Sequence, residues 1–121
     1  MSKRILVIED QEDNRRILRY LLRSAQYEVI EAVTGEEGVD LAERERPDLI
    51  LMDIQLPGLD GYEATRRIKS NAALRHIPII VVTSYALNGE ERIARAAGCD
   101  DYVPKPFSPR QLLAKIRQYL S

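Results

Sequence analysis

Five short apolar runs recur along this chain, and none is longer than a single strand needs: Ile5–Ile8, Tyr27–Ala32, Leu49–Met52, Pro78–Val82 and Tyr102-Val103. Between them the apolar spacing switches to the period of amphipathic helices. Ile17, Leu18, Leu21, Leu22 and Ala25 form the first helical stripe, and Leu112, Leu113, Ile116 and Leu120 the last. Strand and helix therefore alternate five times. Short, right-handed crossovers between successive strands then give a parallel sheet with helices on both faces. Runs such as LILM and IIVV, apolar at consecutive positions, fit strands buried on both sides.

Helix ends can be read from their chemistry. Thr34-Gly35-Glu36-Glu37 reads as a capping box, opening a helix that runs to about Arg46 and stops at Pro47. Asp60 caps the next helix, which carries Tyr62, Ala64, Thr65 and Ile68. Asn88-Gly89-Glu90-Glu91 opens an Ala-rich helix closed by Gly98. Ser108-Pro109-Arg110-Gln111 opens the last, with Ser as N-cap and Pro in the first turn. Arg15, Arg16, Arg19 and Arg23 fall mostly off the first apolar stripe and read as a solvated face, or otherwise as part of a partner surface. Cys99 reads as a small semi-buried filler, and His76 as part of the turn entering the fourth strand.

A length of 121 residues suits one domain, 1–121, with one core and no output domain. Eighteen basic and nineteen acidic residues nearly cancel, which argues against a nucleic-acid or membrane surface. The first apolar run breaks at Glu9-Asp10, so it is neither a signal peptide nor a membrane span. The lone Cys99 cannot close an internal disulfide and fits a reducing, cytoplasmic setting.

Function is expected where the strands end, because ligands of open α/β sheets bind beyond the carboxyl ends of the strands. The first strand runs into Glu9 and Asp10, the third into Asp53, and the fourth into Thr83 and Ser84; Lys105 follows the fifth. Pro57, Gly58 and Gly61 mark the stretch after Asp53 as a loop. If the first and third strands are neighbours, three carboxylates share one crevice and repel unless a cation intervenes. Hard carboxylate oxygens suit Mg²⁺. Zinc is disfavoured, since Cys99 and His76 are the only soft or imidazole ligands and do not cluster. Carboxylates, a hydroxyl and an ammonium are the groups that position a phosphoryl group and neutralise its charge. Asp53 is placed to be the nucleophile of an aspartyl phosphate.

Together, ILVIED, LILMDIQLPGLDG, IIVVTS and YVPKPF, in this order and spacing, resemble the response-regulator receiver domains of two-component signalling. The resemblance runs from Lys3 to about Leu120. It implies a doubly wound α/β fold of flavodoxin-like, CheY-like type, with five parallel strands in the order 2-1-3-4-5. It implies Asp53 as phosphoacceptor, Asp10 as a direct Mg²⁺ ligand, Glu9 as one acting largely through water, and the Gln55 backbone carbonyl as a further ligand. Thr83 would bond the phosphoryl group and Lys105 would pair with it. The Lys105–Pro106 bond is expected to be cis. Tyr102 stands at the position of an aromatic switch and is expected to turn inward on phosphorylation. Tyr85 would cover the phosphoryl group and slow its loss. The main departure is Glu9, where aspartate is commoner.

The resemblance also implies partners. A sensor histidine kinase or a histidine phosphotransfer protein would supply the phosphoryl group, and a target would dock on the face of the fourth helix, fifth strand and fifth helix. The chain would be a monomer or weak homodimer. It would catalyse only its own phosphorylation and dephosphorylation. A Mg²⁺-dependent phosphohydrolase working through an aspartyl phosphate is the rival reading. It usually needs a second acid two residues after the nucleophile, where this chain has Gln55. A receiver decayed into a docking scaffold is a further alternative, opposed by the intact acids, Thr83 and Lys105. A nucleotide-binding module has no glycine loop here to cradle phosphates.

Overall fold

The computed structural model describes residues 2–84 and 89–120. Its elements are β1 (Arg4–Ile8), α1 (Glu12–Ser24), β2 (Glu28–Ala32), α2 (Gly35–Glu45), β3 (Leu49–Met52), α3 (Gly61–Ser70), β4 (Ile79–Thr83), α4 (Glu90–Ala97), β5 (Asp101–Pro104) and α5 (Pro109–Leu120). All strand pairs are parallel, in the order β2-β1-β3-β4-β5. This is the doubly wound α/β fold expected from the sequence. Among the described residues, no helix is long and apolar enough to cross a membrane.

The two-residue period of a strand explains how a continuous apolar run serves two cores. Leu6, Ile8, Ile50, Met52, Ile79 and Val81 point to one face, where Ala42 of α2, Ala64 and Ile68 of α3, and Ala94 of α4 cover them. Ile5, Val7, Leu49, Leu51, Ile80 and Val82 point to the other, under Leu18 and Leu22 of α1 and Leu112 and Ile116 of α5. Cys99 lies within the first core, more deeply than a semi-buried filler, and burial pushes its thiol up to about 11.

The caps follow the sequence closely. Thr34 accepts from the Glu37 N–H at 3.1 Å, while the Glu37 carboxylate accepts from the Val33 N–H at 2.7 Å, one residue earlier than a capping box would have it. Asp60 accepts from the Glu63 N–H at 2.9 Å. Gly98 closes α4 with φ 114°, a left-handed conformation that favours glycine. The expected start of α4 included Asn88, which lies outside the described residues; the helix begins at Glu90.

The solvated arginine face is corrected in part. Arg16 is an exposed pair with Asp13. Arg15 and Arg19 instead turn back onto the sheet edge: the Arg19 guanidinium grips Glu31 of β2 at 2.6 and 2.8 Å, and Arg15 reaches Glu31 at 3.3 Å. An acid on β2 was invisible to a reading of the helix alone.

Candidate functional site

Strand register builds the site. Ile8 of β1 pairs with Met52 of β3, so the next residues, Glu9 and Asp53, leave the sheet side by side. The Asp53 N–H still donates to the Ile8 carbonyl at 3.0 Å, and the Glu9 N–H to the Ala32 carbonyl at 3.0 Å. Both acids are thus held by backbone bonds at the sheet's carboxyl edge. On the far side of β3, Met52 pairs with Val81, which sets Thr83 just beyond Asp53 in the neighbouring strand. Carboxylate oxygens of Glu9, Asp10 and Asp53 lie within 4.8 Å of one another.

Lys105 closes the group from the other end of the sheet. Its backbone N–H donates to the Thr83 carbonyl at 2.8 Å, and the bond to Pro106 is cis, as expected. Its ammonium points inward, 2.6 Å from a Glu9 oxygen and 3.7 Å from an Asp53 oxygen. The nearer partner is therefore Glu9. The second Glu9 oxygen accepts from the Gln11 N–H at 3.0 Å. Asp10 is less enclosed, and its carboxylate accepts from the exposed Gln11 side-chain amide at 3.4 Å. The Gln55 N–H donates to an Asp53 carboxylate oxygen at 3.3 Å.

The α3 terminus presses against the nucleophile candidate. Gly61 donates its N–H to the Ile54 carbonyl at 3.0 Å, and a β-carbon on Gly61 would come 2.1 Å from the Asp53 carbonyl oxygen. Only glycine admits that approach. Thr83 is fully buried at its strand end. Tyr102 is also buried, 9% exposed and packed in the first core, and desolvation raises its phenol above the ordinary value. Its ring therefore already holds the inward position that the sequence reading reserved for the phosphorylated state. Tyr85 lies outside the described residues.

Two features went unseen in the sequence. Tyr62 of α3 donates a hydrogen bond to Glu90 at the start of α4. Asp101 at the start of β5 gathers Lys115 at 3.1 Å, Tyr119 at 3.3 Å and Arg95 at 3.5 Å. Burial raises the Asp101 carboxyl, but the Tyr102 N–H and Lys115 outweigh it, and the net shift is downward. Each pairing joins residues from different elements, so no local spacing announces it.

Five aligned groups, Glu9, Asp10, Asp53, Thr83 and Lys105, meeting at one edge of a 2-1-3-4-5 sheet agree with the comparison to known families. The response regulator receiver domain model matches residues 5–117. The chain belongs to that family. The polar-differentiation response regulator DivK of Brucella anthropi is 44% identical over 120 residues, covering 99% of this chain and 98% of its own length. A response regulator from Chloroflexus aurantiacus superimposes with a TM-score of 0.95 at 30% identity, covering 99% of this chain and 98% of that one. The receiver domain of the sensor histidine kinase PA1611 from Pseudomonas aeruginosa, with a magnesium ion coordinated in its active-site cleft, gives a TM-score of 0.92 at 39% identity, covering 99% and 98%. The receiver therefore has a role in phosphorelay signalling.

Proposed function

We propose that Asp53 accepts a phosphoryl group from a phosphohistidine on a kinase or phosphotransfer protein, in a Mg²⁺-dependent reaction. The observation that carries this reading is the convergence of Glu9, Asp10 and Asp53 within 4.8 Å, with the Lys105 ammonium 3.7 Å from Asp53. The donor set fits magnesium: hard oxygens only, from carboxylates fixed by strand ends. Glu9, Asp10, Asp53 and the Gln55 carbonyl would hold the ion. Bound there, it would neutralise charge on the phosphoryl oxygens.

An Asp53 carboxylate oxygen attacks phosphorus in line. The new O–P bond forms as the P–N bond to the donor imidazole breaks, and the electron pair returns to that nitrogen. Lys105 pairs with a second phosphoryl oxygen and Thr83 hydrogen-bonds to a third. The groups stand ready before the donor arrives, which lowers the cost of ordering them. The protein catalyses this step on itself and the later hydrolysis, and turns over no separate substrate.

The donor's approach is supported by a groove beside Lys105, lined by Ile17, Pro106, Phe107 and Pro109. Ile17 is 56% exposed, a large apolar side chain that a partner would cover. Output then passes to a target on the face of α4, β5 and α5, in the cytoplasm, from a monomer or weak homodimer. Incubation with acetyl phosphate tests the central claim. Wild type acquires one acid-stable, base-labile phosphoryl group, while chelation of Mg²⁺ or Asp53→Asn removes it. Equal labelling of Asp53→Asn and wild type overturns the assignment.

A further inference from the structure

The backbone of Glu9 is held by β2 on one side and by Arg15 of α1 on the other. Its N–H donates to the Ala32 carbonyl at 3.0 Å. Its carbonyl accepts from the Arg15 guanidinium at 2.9 Å. Arg15 is in turn bound to Glu31, the residue before Ala32, at 3.3 Å, and to Glu12 at 2.5 Å. Glu31 is fixed by the two-pronged contact from Arg19. Arg15 is only 12% exposed, so water screens these contacts weakly.

This arm adds to the bond that the Gln11 N–H makes to the Glu9 carboxylate. Gln11, the N-cap of α1, provides no side-chain capping bond. The turn carrying Glu9 and Asp10 is thus not tied to the helix by the usual device. Arg15 supplies that tie from inside the helix, reaching back over the first turn. The planar guanidinium suits the task, since its fork of donors serves several acceptors at fixed angles.

We propose that Arg15 is a positioning residue for the acid pair. It sets the β1–α1 turn so that the Glu9 and Asp10 carboxylates face Asp53, and Glu31 sets Arg15. This rests on the reading of the acid cluster as the Mg²⁺ site. An ordinary surface ion pair would contribute little to stability and nothing to the metal. A residue that orients ligands from behind typically changes metal affinity by about tenfold or more when lost.

The test compares Arg15→Gln, Arg15→Lys, Glu31→Gln and the exposed-pair control Arg44→Gln. Mg²⁺ affinity is measured by calorimetric titration, and hydrogen exchange of the Asp10 and Gln11 amides in metal-free protein by NMR. Arg15→Gln is expected to weaken Mg²⁺ about tenfold and to speed exchange at Gln11, whose N–H bonds the Glu9 carboxylate. Glu31→Gln shifts both readouts the same way by less, Arg15→Lys recovers part of the loss, and Arg44→Gln changes neither. A lower melting temperature in Arg15→Gln with unchanged affinity and exchange overturns the proposal. If Arg15→Gln does not fold, Glu31→Gln decides by the same two readouts. If wild type takes up no Mg²⁺, the metal reading falls, and exchange at Gln11 alone decides whether Arg15 holds the turn.

Discussion

The Lys105 ammonium is bound to Glu9 at 2.6 Å, more closely than to Asp53 at 3.7 Å. Both partners of the shorter pair are largely buried, so neither charge is well compensated by water if the other is removed. Lys105→Met keeps the apolar stem and deletes the charge. In chelator it should destabilise the fold by about 3 kcal/mol, the lower end for breaking a buried pair. Asp53→Asn removes one of the mutually repelling acids and should raise stability under the same conditions. Urea denaturation measures both. Equal midpoints for Lys105→Met and wild type would show that the pair holds nothing in place.

The same contact ranks the two acids that precede α1. Both Glu9 oxygens already have protein donors, Lys105 on one and the Gln11 N–H on the other. Asp10 is more open to a ligand. In a calorimetric titration Asp10→Ala should abolish Mg²⁺ binding, and Glu9→Ala should weaken it. The reverse ranking means the two roles are exchanged.

What the sequence carried, and what it did not, divides by distance along the chain. Strand runs, caps and the polar strand ends are local patterns, and a period or a single side chain exposes them. Asp53, Thr83 and Lys105 were legible because each sits where a buried run gives out. The parts missed are contacts between elements: Arg15 with Glu31, Tyr62 with Glu90, and Asp101 with Lys115. Arg15 also pairs with Glu12, three residues before it on the same helix. Nothing in either residue's neighbourhood pointed to β2. Tyr102 was read as an aromatic that turns inward on phosphorylation, yet its ring is buried already, which no spacing along the chain reports.

Gly61 tests how closely α3 must approach the site. A β-carbon there would meet the Asp53 carbonyl oxygen at 2.1 Å, and backbone cannot move aside cheaply. Gly61→Ala should cost about 1–3 kcal/mol as an overpacked position and slow phosphorylation by displacing Asp53. Gly89 is a contrasting control: φ is +88°, but no atom lies within 4 Å of an added β-carbon. Gly89→Ala should strain the α4 start and leave the phosphorylation rate unchanged. Similar rates for Gly61→Ala and wild type with acetyl phosphate would detach α3 from the chemistry.

Thr83 links the phosphoryl site to the output face. Its carbonyl takes the Lys105 N–H, and β4 pairs with β5 beside it. New bonds made only in the phosphorylated state supply the energy for a population shift. Thr83→Ala should still be labelled on Asp53, while the amide shifts of α4, β5 and α5 on phosphorylation largely vanish. Because Tyr102 is already buried, the shift is expected as a movement of α4 rather than an inward turn of the ring. If Thr83→Ala gives the wild-type shift pattern, coupling runs elsewhere.

Acid should weaken the β2 clamp in a predictable direction. The bidentate hydrogen bond from Arg19 holds the Glu31 carboxyl below its ordinary value of 4.5; burial opposes this, and the charges of Arg19 and Arg15 add to it. A carboxyl depressed in the folded state binds protons more readily once unfolded. Its contribution is therefore complete above the ordinary value and is lost as pH falls through the folded one. Glu31→Gln has no proton to exchange. Wild type and Glu31→Gln should differ in stability near neutral pH, and the gap should narrow steadily as pH falls below 4.5. The Mg²⁺-free protein is the right sample, since the acid cluster's own metal linkage would otherwise mask the effect. Urea midpoints collected across the acid range make the comparison. A gap that stays constant with pH would show that Glu31 holds its position by packing, and that the Arg19 contact does not set its charge.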